Sequence, residues 1–107
     1  MDSKLKRIYV PMSETAFYIL FCLQRPQHGY GIAQRVKEMT ANEVTISPGT
    51  MYGTLSKMEK DGLIIRVSEQ EKRKLYQITD LGNKILQIEL RRINRLFKNS
   101  IGEQYDG

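Results

Sequence analysis

The residues best suited to contact another molecule lie between residues 47 and 74. Small or polar side chains recur along one predicted helix, at Ser47, Thr50, Tyr52, Gly53, Thr54 and Lys57. Three consecutive cations, Lys72, Arg73 and Lys74, follow it. A helix fits the major groove of DNA, where its base-facing positions must be polar or small, and cationic side chains bind phosphates. These residue types therefore favour contact with double-stranded DNA.

A helix with clear ends is predicted at residues 47–62. Ser47 is a typical N-cap, Pro48 suits a first helical position, and Asp61-Gly62 favours a left-handed stop. At about 100° per residue, the helix has one apolar face that should pack and one polar face that should remain outside. The apolar face comprises Met51, Leu55 and Met58, and the polar face comprises Thr50, Thr54 and Lys57.

A β-hairpin is predicted directly after this helix. The apolar run at 63–67 and the β-prone run at 75–78 indicate two strands, and the polar stretch 69–74 indicates the loop between them. The cations at 72–74 would then lie at the tip of the hairpin. A capped helix followed by a basic hairpin is typical of a winged helix.

Several of these residues also have a purely structural interpretation. Glycine inside a helix costs about 1 kcal/mol relative to alanine, so Gly53 indicates either close approach to DNA or drift at an exposed position. Ser47 is first a cap that could also contact phosphate, and Tyr52 either packs half-buried or contacts the DNA backbone. The hairpin cations could equally form a solvated loop, because Glu69 and Glu71 lie beside them.

Composition limits the classes of function. A chain of 107 residues is one domain with a marginal core, which favours self-association. Seventeen Lys+Arg against twelve Asp+Glu give a net charge of +5, which fits either a polyanionic partner or ordinary solvation. The single cysteine, Cys22, lies in an apolar run, so we assign it to the core and expect a reducing, cytoplasmic setting.

Membrane insertion is disfavoured. Lys4, Lys6 and Arg7 precede the apolar run 16–23, as basic residues do in a signal peptide, but Ser13-Glu14 interrupts the pattern and no small-residue cleavage site follows. The run is also far shorter than the roughly 20 apolar residues that cross a bilayer. We therefore expect no membrane association.

Catalysis and metal binding are also disfavoured. His28 is the only histidine, so no second histidine and no nearby cysteine could complete a metal site or a nucleophile–base pair. We interpret His28 and Tyr30 as residues that shape a turn and the core. We expect no catalytic residue, no metal and no cofactor.

The remaining patterns predict further helices. Ser13 caps a helix to about Leu23 that is apolar on nearly all sides, and an amphipathic helix follows the turn at 25–29. Residues 44–46 alternate apolar and polar and predict a short strand beside the hairpin, whereas the conformation of residues 1–12 is left open. The predicted fold is mainly α with a small β-hairpin, a winged helix-turn-helix plus a long C-terminal helix.

The last helix, from about Leu81 to Ser100, has more apolar surface than a small domain can cover. One apolar face comprises Leu81, Ile85, Ile88 and Leu96, and a second comprises Leu86, Leu90, Ile93, Phe97 and Ile101. The second set repeats at steps of four or three residues, as a helix–helix seam does. We therefore predict a homodimer, with a DNA-binding domain at 1–80 and a dimerisation helix and tail at 81–107.

Four sequence motifs occur in order between residues 28 and 82. They are HGYGIA at 28–33, SPGTMY at 47–52, MEKDGLI at 58–64 and RKLYQITDLG at 73–82. Together they resemble the PadR family of bacterial transcriptional regulators, and the length resembles its short subgroup. The resemblance implies that the terminal helix dimerises and that the protein is a repressor relieved by a small aromatic or cationic molecule. It also places Ile93 where some short relatives carry a pore tryptophan.

The combined hypothesis is a homodimeric repressor whose two recognition helices enter successive major grooves, about 34 Å apart, on a double-stranded operator. A small effector between Phe17, Phe21 and Ile93 would shift the dimer away from its DNA-binding form. The alternative is a winged helix that binds another protein. Salt-sensitive retention of DNA separates the two hypotheses, because phosphate contacts release counterions.

Overall fold

The computed structural model describes residues 3–107 of the chain. Within this range the helices are α1 (Ser3–Tyr9), α2 (Glu14–Cys22), α3 (Gly29–Met39), α4 (Pro48–Lys60) and α5 (Asp80–Ser100), and the strands, between α4 and α5, are β1 (Ile64–Gln70) and β2 (Arg73–Ile78). The structure thus confirms a mainly α fold with a small hairpin and a long C-terminal helix.

The ends of α4 follow from its local sequence. The Ser47 hydroxyl accepts a hydrogen bond from the Thr50 N–H at 3.2 Å, which satisfies one of the unpaired amides of the first turn. Gly62, with φ of +82°, adopts the left-handed conformation that ends the helix. The predicted apolar face is buried, at Met51, Leu55 and Met58.

The hydrophobic core lies where α2, α3, α4 and the first half of α5 meet. Helix α2 contacts all three of the others. This arrangement explains its nearly complete apolar circumference, because residues on several sides of it are covered. Ile19, Leu20 and Cys22 are all buried, so the assignment of Cys22 to the core is confirmed.

The hairpin is longer than predicted, and its loop is shorter. Antiparallel pairing runs from Ile64 opposite Ile78 to Gln70 opposite Arg73, with a bulge between Arg66 and Ser68. Only Glu71 and Lys72 form the turn, and both have positive φ, at 48° and 65°. The prediction of a loop over 69–74 was therefore wrong. A solvent-exposed ribbon carries little hydrophobic alternation, so its strands resemble a loop in sequence.

The predicted strand at residues 44–46 is absent. The Val44 N–H is taken by the Thr40 hydroxyl at 3.1 Å, and Ile46 is buried in the core. The extra pairing with the hairpin comes instead from the turn before α3, where Gln27 and Tyr76 exchange two backbone hydrogen bonds of 3.0 and 2.9 Å. A three-residue alternation was too short to distinguish a strand from a packed loop.

Helix α1, whose conformation was left open, attaches the N-terminal segment to the domain. Leu5, Tyr9 and Met12 are buried, whereas Ile8 is exposed. The Tyr9 hydroxyl donates a 2.7 Å hydrogen bond to Asp61 Oδ2 at the end of α4. The N-terminal segment therefore packs beside the C-terminal end of the recognition helix.

The apolar side chains of helix α5 are covered along its first half and exposed along its second. Ile85 and Leu86, which belong to different predicted faces, are both fully buried. Farther along, Ile93, Leu96, Phe97 and Ile101 are exposed, with Phe97 at 61%. Leu86 was predicted as an intermolecular contact, but its own chain covers it. The uncovered apolar residues of α5 are therefore grouped at its C-terminal end, and they do not form a separate face along its whole length.

The exposed half of α5 extends the molecule. The principal-axis extents are 49 × 34 × 21 Å and the Cα radius of gyration is 14.6 Å, whereas a compact chain of this length would have a radius of about 13 Å. Where the two halves of α5 meet, buried Glu89 accepts two hydrogen bonds from Arg92, at 2.9 and 2.7 Å. These bonds raise the pKa of the Arg92 guanidinium.

Candidate nucleic-acid interface

The most outward line of α4 is built from small and polar residues. At about 100° per residue, the positions opposite the buried Met51–Met58 face are Gly49, Gly53, Ser56 and Lys60, and all four are exposed. Of these, only Gly53 was among the predicted contacts. The same wheel, centred on the midpoint of the apolar face, would have found the other three.

The predicted polar residues Thr50, Thr54 and Lys57 lie on one flank of that line. They border a groove of about 510 Å³ between α4 and the N-terminal segment. Ile8, Tyr9, Pro11 and Met12 form its opposite wall. Thr54 is half-buried there, whereas Thr50 and Lys57 are exposed. The recognition helix thus has α1 on one side.

Neither outward glycine of α4 is required by packing. A Cβ built at Gly49 or Gly53 would meet no atom within 4 Å among the described residues. Since internal sterics do not explain the helix-weakening glycine at 53, close approach of an external molecule and drift at an exposed position remain its two interpretations.

Lys57 belongs to a small network with α1. Its Nζ lies 3.2 Å from Asp61 Oδ2 and 5.7 Å from the centre of the Tyr9 ring. The Tyr9 hydrogen bond, followed by the Lys57 contact, keeps the pKa of the Asp61 carboxyl below its usual value, despite partial burial. Burial, reinforced by Asp61, raises the pKa of the Tyr9 hydroxyl. Both groups are therefore held in the protonation states that favour the hydrogen bond between them.

Tyr52 lies on the other flank of α4, against the start of α3. A Cβ at Gly29 would approach Tyr52 Cε1 to 2.9 Å, so the absence of a side chain at Gly29 makes room for the tyrosine ring. Tyr52 nevertheless remains 53% exposed. One side of the Tyr52 ring thus packs against the start of α3, and the rest of the side chain is exposed and available for an external contact.

The hairpin cations lie beside this same flank. A cavity of about 330 Å³ is lined by His28, Gly29, Tyr52, Ser56, Lys72, Arg73, Lys74 and Tyr76. Glu69 lies opposite Lys74 in the register of the hairpin. Neither Glu69 nor Glu71 lines the cavity. The fold therefore brings the hairpin cations beside Tyr52, whereas Thr50, Thr54 and Lys57 lie on the opposite flank of α4.

Tyr30 is not a core residue, contrary to the prediction. It is 57% exposed, and its ring stacks with that of His28 at 6.4 Å between centroids. The Arg73 guanidinium lies 5.3 Å from the Tyr30 centroid. His28 is half-buried and caps α3 by accepting the Gly31 N–H at 3.0 Å. The turn role of His28 is thus observed, and Tyr30 instead supports the hairpin.

The predicted effector residues lie on different helices. Phe17 and Phe21 stack at 5.9 Å between ring centroids and are partly buried on α2, with the Arg35 guanidinium 5.7 Å from the Phe21 ring. Ile93 is exposed on the second half of α5. These three residues therefore provide partly covered aromatic surface on α2 and open apolar surface on α5.

Within residues 3–107, no group of three or more His, Cys, Asp or Glu side chains is placed to hold a metal ion. In the same range no helix is both long and apolar enough to span a bilayer. The Cys22 thiol is buried, and burial raises its pKa, which disfavours the reactive thiolate.

A capped helix with a small, polar outward face beside a cationic hairpin defines a winged-helix DNA-binding protein. Residues 19–88 match the transcriptional regulator PadR-like family. The chain therefore belongs to the PadR family, whose members are transcriptional regulators and not enzymes.

Individual relatives agree with this assignment. The chain is 32% identical over 80 residues to the transcriptional regulator Rv3488 of Mycobacterium tuberculosis, covering 72% of each chain. It resembles the structure of a transcriptional regulator from Clostridium thermocellum with a TM-score of 0.70 and 27% identity, covering 92% of this chain and 94% of that one. A PadR family regulator from Clostridium difficile gives a TM-score of 0.68 at 29% identity, covering 83% and 98%.

Proposed function

We propose that the protein is a homodimeric repressor that binds a double-stranded operator and is released from it by a small molecule. The observation that carries this proposal is the presence of two unlike exposed surfaces on one chain. One is the polar α4 and cationic hairpin surface, and the other is the apolar second half of α5. The first fits DNA and the second fits a copy of the same chain.

In the proposed complex α4 lies in the major groove. Gly53 and Thr50 would approach base edges, while Ser47 and Tyr52 would contact the sugar–phosphate backbone. Thr54, which is half-buried, would contact DNA only at the edge of the groove. Lys72, Arg73 and Lys74 would reach the phosphates or the minor groove beside it, because the hairpin cations share a cavity wall with Tyr52.

Lys57 can take part although it is paired in the free protein. Its side chain is 57% exposed, and its partner Asp61 lies one turn away on the same chain. An exposed ion pair of this kind contributes only about 0.5 kcal/mol. A DNA phosphate or a base acceptor can therefore replace the carboxylate at small cost.

The proposed dimer interface is the second half of α5. It contains Ile93, Phe97 and Ile101 from the predicted seam, with Leu90 at the boundary with the core. Leu96 is exposed on the same half of the helix and would lie at the edge of the interface. PadR regulators typically act as dimers, which supports this assignment.

The effector would bind at the junction between the core and the dimer. Phe17 and Phe21 offer partly buried aromatic surface on α2, a helix that also contacts α5. Ile93 would close the site from α5. A small aromatic or cationic molecule there would favour one arrangement of the α5 pair, and thereby one spacing of the two α4 helices.

Selection of bound fragments from the source genome, performed at low and at moderate salt, tests the proposal directly. A DNA-binding dimer should enrich a small set of roughly palindromic fragments, and retention should fall steeply as salt rises. If no fragment is retained even at low ionic strength, the DNA-binding assignment is wrong. A winged helix that binds another protein would then be the better description.

A further inference from the structure

We propose that His28 and Arg73 together hold one phosphate of the DNA backbone, in the cavity between α3, α4 and the hairpin. This inference rests on the proposed DNA binding. It adds to that function a contact from the start of α3, outside both the recognition helix and the hairpin tip. The two side chains converge from positions 45 residues apart in sequence.

The hydrogen bond at the other ring nitrogen determines what His28 offers. His28 Nδ1 accepts the Gly31 N–H at 3.0 Å and therefore carries no proton. The proton of a neutral His28 ring must then be on Nε2. This nitrogen lies 3.4 Å from Arg73 Nη1, and both residues line the cavity.

Arginine cannot accept a hydrogen bond, so His28 and Arg73 cannot satisfy one another in this state. Both present N–H donors toward the same space at 3.4 Å. The hydrogen-bonding capacity of these two adjacent donors is satisfied by one acceptor that can accept a hydrogen bond from each. A phosphate oxygen, with several lone pairs and a negative charge, is such an acceptor.

Tyr30 holds this pair in place. Its ring stacks on His28 at 6.4 Å and lies 5.3 Å from the Arg73 guanidinium. Stacking and cation–π contact restrict both side chains before any ligand arrives. Less conformational entropy is then lost on binding than two free surface side chains would lose.

The surroundings favour an anion. Lys72 and Lys74 line the same cavity, and Tyr52 and Ser56 add hydroxyl groups from α4. Among the residues described as lining it, none is a carboxylate. At about 330 Å³ the cavity can admit a phosphate group.

DNA is the favoured source of that phosphate because of where the cavity lies. It is bounded by α4 on one side and by the hairpin on the other. A duplex with α4 in its major groove passes the backbone beside that groove along this boundary. Free inorganic phosphate has the same chemistry and serves as the competing probe.

His28 allows a direct test because it is the only histidine in the chain. Its ring ¹⁵N signals therefore need no assignment. We expect the neutral tautomer with the proton on Nε2, and a shift of the Nε2 signal when duplex genomic fragments are added. A proton on Nδ1, an unchanged signal with DNA, or an equal shift with inorganic phosphate alone would each overturn the proposal.

Substitution gives a second test that keeps the cap intact. Asparagine is a good N-cap but lacks the Nε2–H, so His28→Asn should preserve the melting temperature and weaken DNA binding about tenfold, with the salt slope unchanged. Arg73→Gln should weaken binding similarly and reduce the slope of log K against log salt by about 0.9. Because both groups hold one phosphate, the double variant should lose less than the product of the two single effects.

The matched control is Arg91→Gln, which removes one positive charge from exposed α5. If His28→Asn and Arg73→Gln resemble this control while Lys57→Ala still weakens binding, the paired contact is wrong and the DNA-binding function stands. If the unchanged protein shows no salt-sensitive binding of duplex DNA, the proposed function itself fails. The two failures are therefore distinguishable.

Discussion

Helices α4 and α5 are built by the same rules but leave opposite kinds of surface exposed. Each begins at a hydroxyl cap, with Ser47 and Thr79 accepting N–H groups three residues on. Each buries apolar residues in the same core. The outward line of α4 is glycine, serine and lysine, whereas the second half of α5 exposes large apolar side chains.

The contrast lies in what each surface needs from a partner. A polar helix face is stable in water, so the outward face of α4 can stay exposed to solvent until DNA binds to it. Burying exposed residues such as Phe97 and Ile101 in an interface is favourable by about 25 cal/mol per Å² of apolar area. The α5 surface therefore favours a permanent partner and the α4 surface a reversible one.

The largest effect should come from breaking the α5 surface. Phe97→Asp places a charge on the most exposed large apolar residue of this helix and should yield monomers. Because a dimer binds both half-sites of its operator as one unit, monomers should bind about 100-fold more weakly or worse. Solution mass and operator titration measure the two effects.

Arg95→Asp is the control for Phe97→Asp. Arg95 is exposed on the opposite side of the same helix. Arg95→Asp changes the net charge by more than Phe97→Asp does. It should nevertheless leave the solution mass at twice that of the chain, because Arg95 lies outside the proposed interface. A Phe97→Asp protein that remains dimeric would show that α5 does not form the interface.

A smaller effect should come from the α4 surface itself. Lys57→Ala should weaken operator binding by about tenfold, which corresponds to about 1.4 kcal/mol. If Lys57 contacts phosphate, the slope of log K against log salt should fall by about 0.9, whereas a contact to a base acceptor mainly reduces sequence discrimination. Lys84→Ala, an exposed lysine near the start of α5, is the control.

Gly53→Ala separates the two interpretations of the outward glycine. The added Cβ meets nothing within 4 Å in the free protein, so the variant should be about 1 kcal/mol more stable and melt several degrees higher. We expect weaker DNA binding at the same time, because a methyl group would separate the helix from the duplex. Unchanged affinity, as expected for the control Lys84→Ala, would favour drift at Gly53.

Local signals explain why α4 could be predicted so fully. Ser47, Pro48 and Gly62 mark its ends within the sequence itself, and the apolar triplet marks its buried face. The bounds of α5 were predicted equally well, at about 81–100 against the observed Asp80–Ser100. The helical wheel could not reveal that Leu86 is covered while Phe97 is not, because that depends on where the domain ends along the helix.

Contacts between residues far apart in sequence could not be predicted either, because they also depend on how the chain folds. Tyr9 and Asp61 are 52 positions apart, and His28 and Arg73 are 45 apart. No periodicity links such pairs, so the conformation of residues 1–12 was left open and Tyr30 was assigned to the turn and the core. The hairpin cations could be named from their charge, but their position beside Tyr52 required the fold.

The smallest predicted effect concerns the contact between α1 and the end of α4. Asp61 has a lowered pKa in the folded protein, so its interactions stabilise the fold above the unfolded carboxyl value of about 3.9, and this contribution is lost as pH falls through the folded value. Asp61→Asn should therefore lower the free energy of unfolding near neutral pH, by about 1 kcal/mol, and should differ little from the unchanged protein at strongly acidic pH.

Tyr9→Phe tests whether the hydrogen bond from α1 is the main cause. This change removes the largest contribution to the lowered pKa of Asp61, so it should reduce the acid sensitivity of stability nearly as much as Asp61→Asn does. It should also reduce alkaline sensitivity, because the raised pKa of Tyr9 stabilises the fold below about pH 10 and this contribution is lost at higher pH. Denaturant unfolding across pH, with Tyr105→Phe in the half-exposed C-terminal tail as control, measures both. If Tyr9→Phe leaves the acid limb unchanged, Lys57 rather than α1 sets the charge of Asp61, and α1 does not stabilise the end of the recognition helix.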